Sequence, residues 1–197
     1  MEKIKISYID DLIDTNLSKY LDNYSLEGYE IESMEIKFKT DKGYESLLNN
    51  SNIRISNIVL IDSKLFENNN ANQGKFTGEE FKIILKKYFP FIEVIVITQN
   101  AIEPGYETIS KYDSRKHKDV KEYYDEVLSP KIKDAIKNIC EFRKIASVIE
   151  KNDNLEKVLI EKIINLLNGT REYQELTKTD IDKIVDIFKE VQEKING

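Results

Sequence analysis

The side chains on which redox, disulfide and histidine chemistry depend are nearly missing from this chain. Its 197 residues include one cysteine, one histidine and no tryptophan. A lone Cys140 excludes an internal disulfide framework and a multi-cysteine zinc site, and it fits a reducing, cytoplasmic setting. A single His117 argues against Ser–His nucleophilic catalysis and histidine-rich metal centres. No apolar stretch approaches the roughly 20 residues needed to cross a bilayer, so no membrane association is expected. A strand-like segment begins almost at the N-terminus, so no signal peptide is expected either. The net charge is -6 and no basic stripe stands out, which makes nucleic acid a poor default partner. No internal repeat and no sustained heptad pattern is present.

What is present is 40% hydrophobic and 34% charged, ordinary to charge-rich for a globular protein. Lys3 to Ile9 alternates and then turns apolar, which predicts a first strand. Asp11 to Tyr24 places Leu12, Ile13, Leu17, Tyr20, Leu21 and Tyr24 on one helical face. Gly28 breaks that pattern, and Tyr29 to Lys39 alternates as a second strand. Tyr44 to Leu48 reads as a short helix and Ile53 to Ile61 as a third strand. Residues 67–75 are polar and Asn-rich, hence a loop. Thr77 with Glu80 three residues on forms a capping box for a helix that Pro90 stops near Tyr88. Phe91 to Ile97 is a fourth strand, Asn100 to Gly105 a turn-rich loop, and Tyr106 to Ser110 a short fifth strand. From there the pattern is helical only: Val120 to Leu128, then a helix opened by Ser129-Pro130, then 155–167, then 179–195. Strands alternating with helices predict a parallel sheet covered on both faces. The expected organisation is an α/β domain over 1–128 and an all-helical C-terminal region over 129–197, whose apolar stripes must pack on the sheet domain, on one another or on a second chain.

The strand ends carry the chemistry. Ile58-Val59-Leu60-Ile61 closes in Asp62, and the first strand closes in Asp10-Asp11. The fourth ends in Thr98 and the fifth in Lys111. Open parallel sheets build their sites at the carboxyl ends of strands. Three carboxylates at one edge repel and raise one another's pKa, a penalty that a hard divalent cation removes. Mg²⁺ takes a few carboxylate oxygens plus waters and a phosphate oxygen, so Asp10, Asp11 and Asp62 are its candidate ligands. Asp62 would keep an oxygen able to attack phosphorus, with Thr98 donating to one phosphoryl oxygen and Lys111 pairing with another.

Each residue also has a plainer reading. Carboxylates after strands are ordinary turn formers and N-caps, and Asp10 or Asp11 could simply cap the first helix. Cys140 reads as a core residue, and Arg115-Lys116-His117-Lys118 as a solvated loop. The weight lies in the set, because every strand closes in a suitable chemical type.

That set resembles the receiver domain of bacterial two-component response regulators, over roughly residues 3 to 128. Tyr8-Ile9-Asp10-Asp11 resembles the family's acidic pair, and Val59-Leu60-Ile61-Asp62 its phospho-accepting aspartate. Thr77-Gly78-Glu79-Glu80-Phe81 is similar to its glycine-led third helix. Ile95-Val96-Ile97-Thr98 and Ile109-Ser110-Lys111 are similar to its hydroxyl-ended and lysine-ended strands. The resemblance implies a doubly wound, five-stranded parallel sheet of flavodoxin-like (CheY-like) type. There are departures. The segment between Asp62 and Gly78 is long, Gln99 stands where receivers carry a small residue, and Thr108 stands near the position of a switch aromatic. Too few residues separate Thr98 from Lys111 for a full fourth helix, so that helix is expected to be missing or reduced to a turn. If the fifth strand is misplaced, Lys116 is the alternative site lysine.

The implied function is a signalling protein, phospho-accepting at Asp62 with Mg²⁺ and giving output through its C-terminal helices. Its implied partners are a histidine kinase or a downstream effector, with a homodimer through the C-terminal helices as a further option. One alternative is a phosphorylation-independent pseudo-receiver that serves as an interaction module. A second is a metal-dependent phosphohydrolase, since acid clusters at parallel strand ends support that chemistry on unrelated folds.

Overall fold

A computed structural model describes residues 1–39, 42–66, 77–102 and 105–150, with isolated positions beyond. The elements are β1 (Glu2–Asp10), α1 (Thr15–Asp22), β2 (Tyr29–Lys37), α2 (Glu45–Leu48), α3 (Ser51–Arg54), β3 (Ile58–Asp62), α4 (Gly78–Tyr88), β4 (Glu93–Thr98), β5 (Thr108–Ser110), α5 (Val120–Val127) and α6 (Ser129–Glu150). The five strands form one sheet in the order β2-β1-β3-β4-β5, and every pairing is parallel. This is the doubly wound, flavodoxin-like order, whose ligand crevice opens where the winding reverses between β1 and β3.

Side-chain alternation along the central strands separates two cores. Ile58 and Leu60 of β3 and Ile95 and Ile97 of β4 join Leu17, Tyr20 and Leu21 of α1, Tyr123 and Tyr124 of α5, and Ile132, Ala135, Ile136 and Ile139 of α6. Val59, Ile61, Val94 and Val96 point the other way, onto Leu47 and Leu48 of α2, Ile53 of α3, and Phe81 and Leu85 of α4. β3 is buried along its whole length, as a strand with both faces covered must be. The first half of α6 therefore packs on the sheet. Farther along, Phe142 meets Phe91, just before β4, edge to face at 5.0 Å.

Local signals explain most boundaries. Thr77 caps α4 through a full capping box with Glu80. Asp119 caps α5 by accepting from the Glu122 amide at 2.8 Å. Gly28 turns the chain into β2 at φ +89°, a conformation open to a residue without Cβ.

Two elements expected from the pattern are corrected. The first helix starts at Thr15, and its N-cap is Asp14 rather than Asp10 or Asp11; Asp14 accepts from the amides of Asn16 at 2.8 Å and Leu17 at 3.0 Å. Leu12 lies outside that helix and is 77% exposed. Ile53 belongs to α3 rather than to the third strand, which starts at Ile58, because Asn50 caps a helical turn there by accepting from the Asn52 amide. None of the described residues between β4 and β5 is helical, as the short spacing requires. The expected loop over 67–75 and the expected helices over 155–167 and 179–195 lie outside the described residues, apart from isolated helical positions such as 157, 161 and 182. No helix among the described residues is long and apolar enough to cross a membrane.

Candidate functional site

The carboxyl ends of β1, β3 and β4, with the residue after β5, deliver the predicted side chains to one rim. Asp10, Asp62 and Thr98 each close a strand, and Lys111 follows β5 directly. All four are buried, between 2% and 8% exposed. Register explains the convergence: Asp62 lies beside Ile97 and Thr98 beside Ser110 in adjacent parallel ladders. The Lys111 amide also donates to the Thr98 carbonyl at 2.7 Å, extending the last ladder by one bond.

Lys111 holds the centre. Its Nζ lies 2.7 Å from Asp10 Oδ2 and 2.7 Å from Asp62 Oδ1. One ammonium thus serves two carboxylates, and the ionised triad carries one uncompensated negative charge in a site shielded from water. Burial pushes the Asp62 carboxyl up from its ordinary value; Lys111 opposes that shift and the Asp10 charge adds to it. Burial alone would lower the Lys111 ammonium, but the Asp62 charge and the bonds to both carboxylates outweigh it, and its pKa is raised. Lys116 lies exposed in the turn opened by Asp113. The lysine of the rim is Lys111.

Each carboxylate is further held by the backbone. Asp62 Oδ2 accepts from the Lys64 amide at 2.8 Å. Asp10 Oδ1 accepts from the Leu12 amide at 3.1 Å. Thr98 Oγ1 accepts from the Asn100 amide at 3.1 Å, so its hydroxyl proton is directed elsewhere. Asp11 is only half-buried. Among the described residues no three His, Cys, Asp or Glu side chains are gathered closely enough to hold one metal ion; what draws Asp10 and Asp62 together is Lys111. The donors are nonetheless hard oxygens. Among the described residues, both oxygens of Asp62 and Oδ1 of Asp10 each accept one bond from the partners named above, which leaves each an acceptor direction. Mg²⁺ commonly takes one or two carboxylates and fills its remaining positions with water and phosphate oxygens, a demand these oxygens can meet.

Residues that strand-end reasoning passed over complete the rim. Tyr8 donates its hydroxyl proton to Asp10 Oδ2 and accepts from the Asp14 amide at 3.1 Å. Burial, reinforced by the bond to Asp10, pushes the Tyr8 phenol up, so it stays a donor. Glu79 accepts from Ser63 Oγ at 2.7 Å and from Thr108 Oγ1 at 2.7 Å, tying the residue after Asp62 to the start of β5. Gly78 packs against the same corner: a Cβ there would lie 2.6 Å from the Asp62 carbonyl oxygen. Strand alternation puts Tyr8 on the same face as Asp10, two residues on, and was the available signal. Glu79 offered none, because its two partners come from distant segments.

The strand order and the rim define a receiver-like, doubly wound α/β domain. No family model and no curated protein matches the chain. Among solved structures it is similar to a two-component transcriptional regulator AraC from Clostridium phytofermentans ISDg, with 15% identity and a TM-score of 0.40, over 72% of this chain and 98% of that one. It is also similar to the two-component response regulator RcsB in its DNA complex, with 14% identity and a TM-score of 0.38, over 86% of this chain and 94% of that one. The architecture is read from this chain's own strand order and rim residues.

Proposed function

We propose that this chain is a signalling protein whose receiver-like domain accepts a phosphoryl group on Asp62. The observation that carries the reading is the bridge from Lys111 Nζ to Asp10 and Asp62, 2.7 Å each, at the point where the winding of the sheet reverses. A carboxylate oxygen of Asp62 attacks phosphorus. The donor's bond to phosphorus breaks and the leaving group takes the electron pair; for a phosphohistidine donor, imidazole leaves and gains a proton. Phosphoryl transfer asks the protein chiefly for positioning and charge neutralisation. Lys111 exchanges its Asp62 contact for a phosphoryl oxygen, and Thr98 donates its hydroxyl to another. Asp62 and Asp10, with Asp11 beside them, would hold a Mg²⁺ ion, which would supply further neutralisation of phosphoryl oxygens. A histidine kinase is the partner class that supplies such a donor. Output runs through α6 and the C-terminal region it opens, toward a downstream effector or a second copy of the chain.

The test is incubation of the full chain with acetyl phosphate and Mg²⁺, read by intact mass. One added phosphoryl mass on the wild type, absent from Asp62→Asn, is the expected result. A wild type that gains nothing overturns the reading. It would leave the phosphorylation-independent pseudo-receiver, a reading favoured by the way Lys111 already bridges both carboxylates from within.

A further inference from the structure

Of the donors on Asp10, one is poorly suited to holding a ligand in place. Lys111 is long, and it is shared with Asp62. In the function proposed above, on which this inference rests, its ammonium moves to the phosphoryl group. Asp10 Oδ2 then shares its lysine with a phosphoryl oxygen in place of Asp62, just when the carboxylate is needed. Tyr8 does not leave. Its ring is 1% exposed and packs in the core with Ile4, Ile6 and Leu17. Its hydroxyl is committed at both ends: the Asp14 amide donates to the oxygen at 3.1 Å, so the hydroxyl proton goes to Asp10 Oδ2. That commitment reaches α1 as well, since Asp14 is the helix's N-cap.

The distribution of donors on Asp10 is uneven. Oδ2 takes Tyr8 and Lys111, while Oδ1 takes the Leu12 amide at 3.1 Å. Oδ1 is therefore the oxygen with an acceptor direction to offer a cation. We infer that Tyr8 is a positioning residue for divalent-cation binding at this rim: by anchoring Oδ2 it keeps Asp10 Oδ1 available to Mg²⁺ while Lys111 is shared with other oxygens. Neighbours that orient a ligating carboxylate are typically worth about 10–100-fold in metal affinity.

The experiment is a calorimetric titration of Mg²⁺ into the full chain, for the wild type and Tyr8→Phe, beside a carbon NMR titration of the wild type labelled at the tyrosine Cζ. The expected result is a Kd about tenfold or more weaker in Tyr8→Phe, and movement of the Tyr8 Cζ resonance as the wild type takes up Mg²⁺. Equal Kd values overturn the inference and leave the metal reading standing. So does a lower melting temperature in Tyr8→Phe with an unchanged Kd, which marks a purely structural side chain. A wild type that binds no Mg²⁺ overturns the metal reading and the Tyr8 inference together. Should Tyr8→Phe fail to fold, the wild-type resonance decides: movement supports the role, and a resonance that stays put at saturating Mg²⁺ overturns it.

Discussion

Replacing Lys111 with methionine tests the centre of the rim. The substitution keeps most of the volume and removes the ammonium. Asp10 and Asp62 then face each other with no cation between them. The side chains of Lys111, Asp10 and Asp62 are 5%, 2% and 12% exposed, so water screens little of the loss. Removing one partner of a buried pair costs about 3–5 kcal/mol, because the remaining charge is stranded. For a chain of this size each kcal/mol moves the melting temperature by about 2–4 °C. Urea unfolding of wild type and variant, followed by circular dichroism across pH, measures the difference. The sign follows from the shifts. The Lys111 ammonium is raised above 10.5, so its contribution is fully present below that value and fades only as the pH rises through the folded pKa. The Asp62 carboxyl is raised above 3.8, so its ionised form opposes folding, and stability is recovered as pH falls through the folded pKa. Without Lys111 that carboxyl rises further. The variant's deficit should be largest near neutrality and shrink on acidification. Asp62→Asn in the Lys111→Met background should restore part of the lost stability. A neutral-pH deficit below about 1 kcal/mol, the range of an exposed pair, would refute the reasoning, as would a deficit that grows in acid.

Two further substitutions probe the corner beneath Asp62. Gly78→Ala should cost about 1–3 kcal/mol despite the better helix propensity of alanine, because the new methyl meets the Asp62 carbonyl oxygen at 2.6 Å and Ser63 Cα at 2.9 Å; an unchanged urea midpoint would contradict that packing. At Glu79, burial favours the neutral form, but the Thr108 and Ser63 hydroxyls outweigh it and hold the carboxyl below 4.5. Its stabilisation is therefore present above that value and lost as pH falls through the folded pKa. Glu79→Gln should destabilise by about 1–2 kcal/mol near neutrality and converge on the wild type in acid, and a pH-independent difference would remove the charge from the explanation.

The sheet was legible in the sequence because parallel strands buried on both faces must be apolar along their length. Val59-Leu60-Ile61 and Val94 to Ile97 had no other reading, and both lie at the centre of the sheet. The rim was legible for a related reason. A charged residue ending an apolar run marks where the strand leaves the core, so Asp10, Asp62 and Lys111 announced both their chemistry and their depth. Boundaries read less well where local hydrogen bonding competed with periodicity. Ile53 shares the apolar character of the strand that follows, yet the Asn50 side chain caps a helical turn around it. Asp14 outcompetes the earlier acids as N-cap because Asp10 is already committed to Lys111 and Tyr8. The ties that close the rim were the least legible, since each joins segments far apart in the chain. Glu79 meets Thr108 across 29 positions and Lys111 meets Asp10 across 101. A residue type can be read as suited to a site. Which hydroxyl or carboxylate it will satisfy follows only from the register of the strands that bring them together. Tyr8 falls between these cases: β alternation sets its ring in the core, and the same alternation points its hydroxyl at the acid two residues on. A polar atom at the tip of a core side chain is costly to bury unless it is bonded, and in the structure Asp10 is the partner that meets this need.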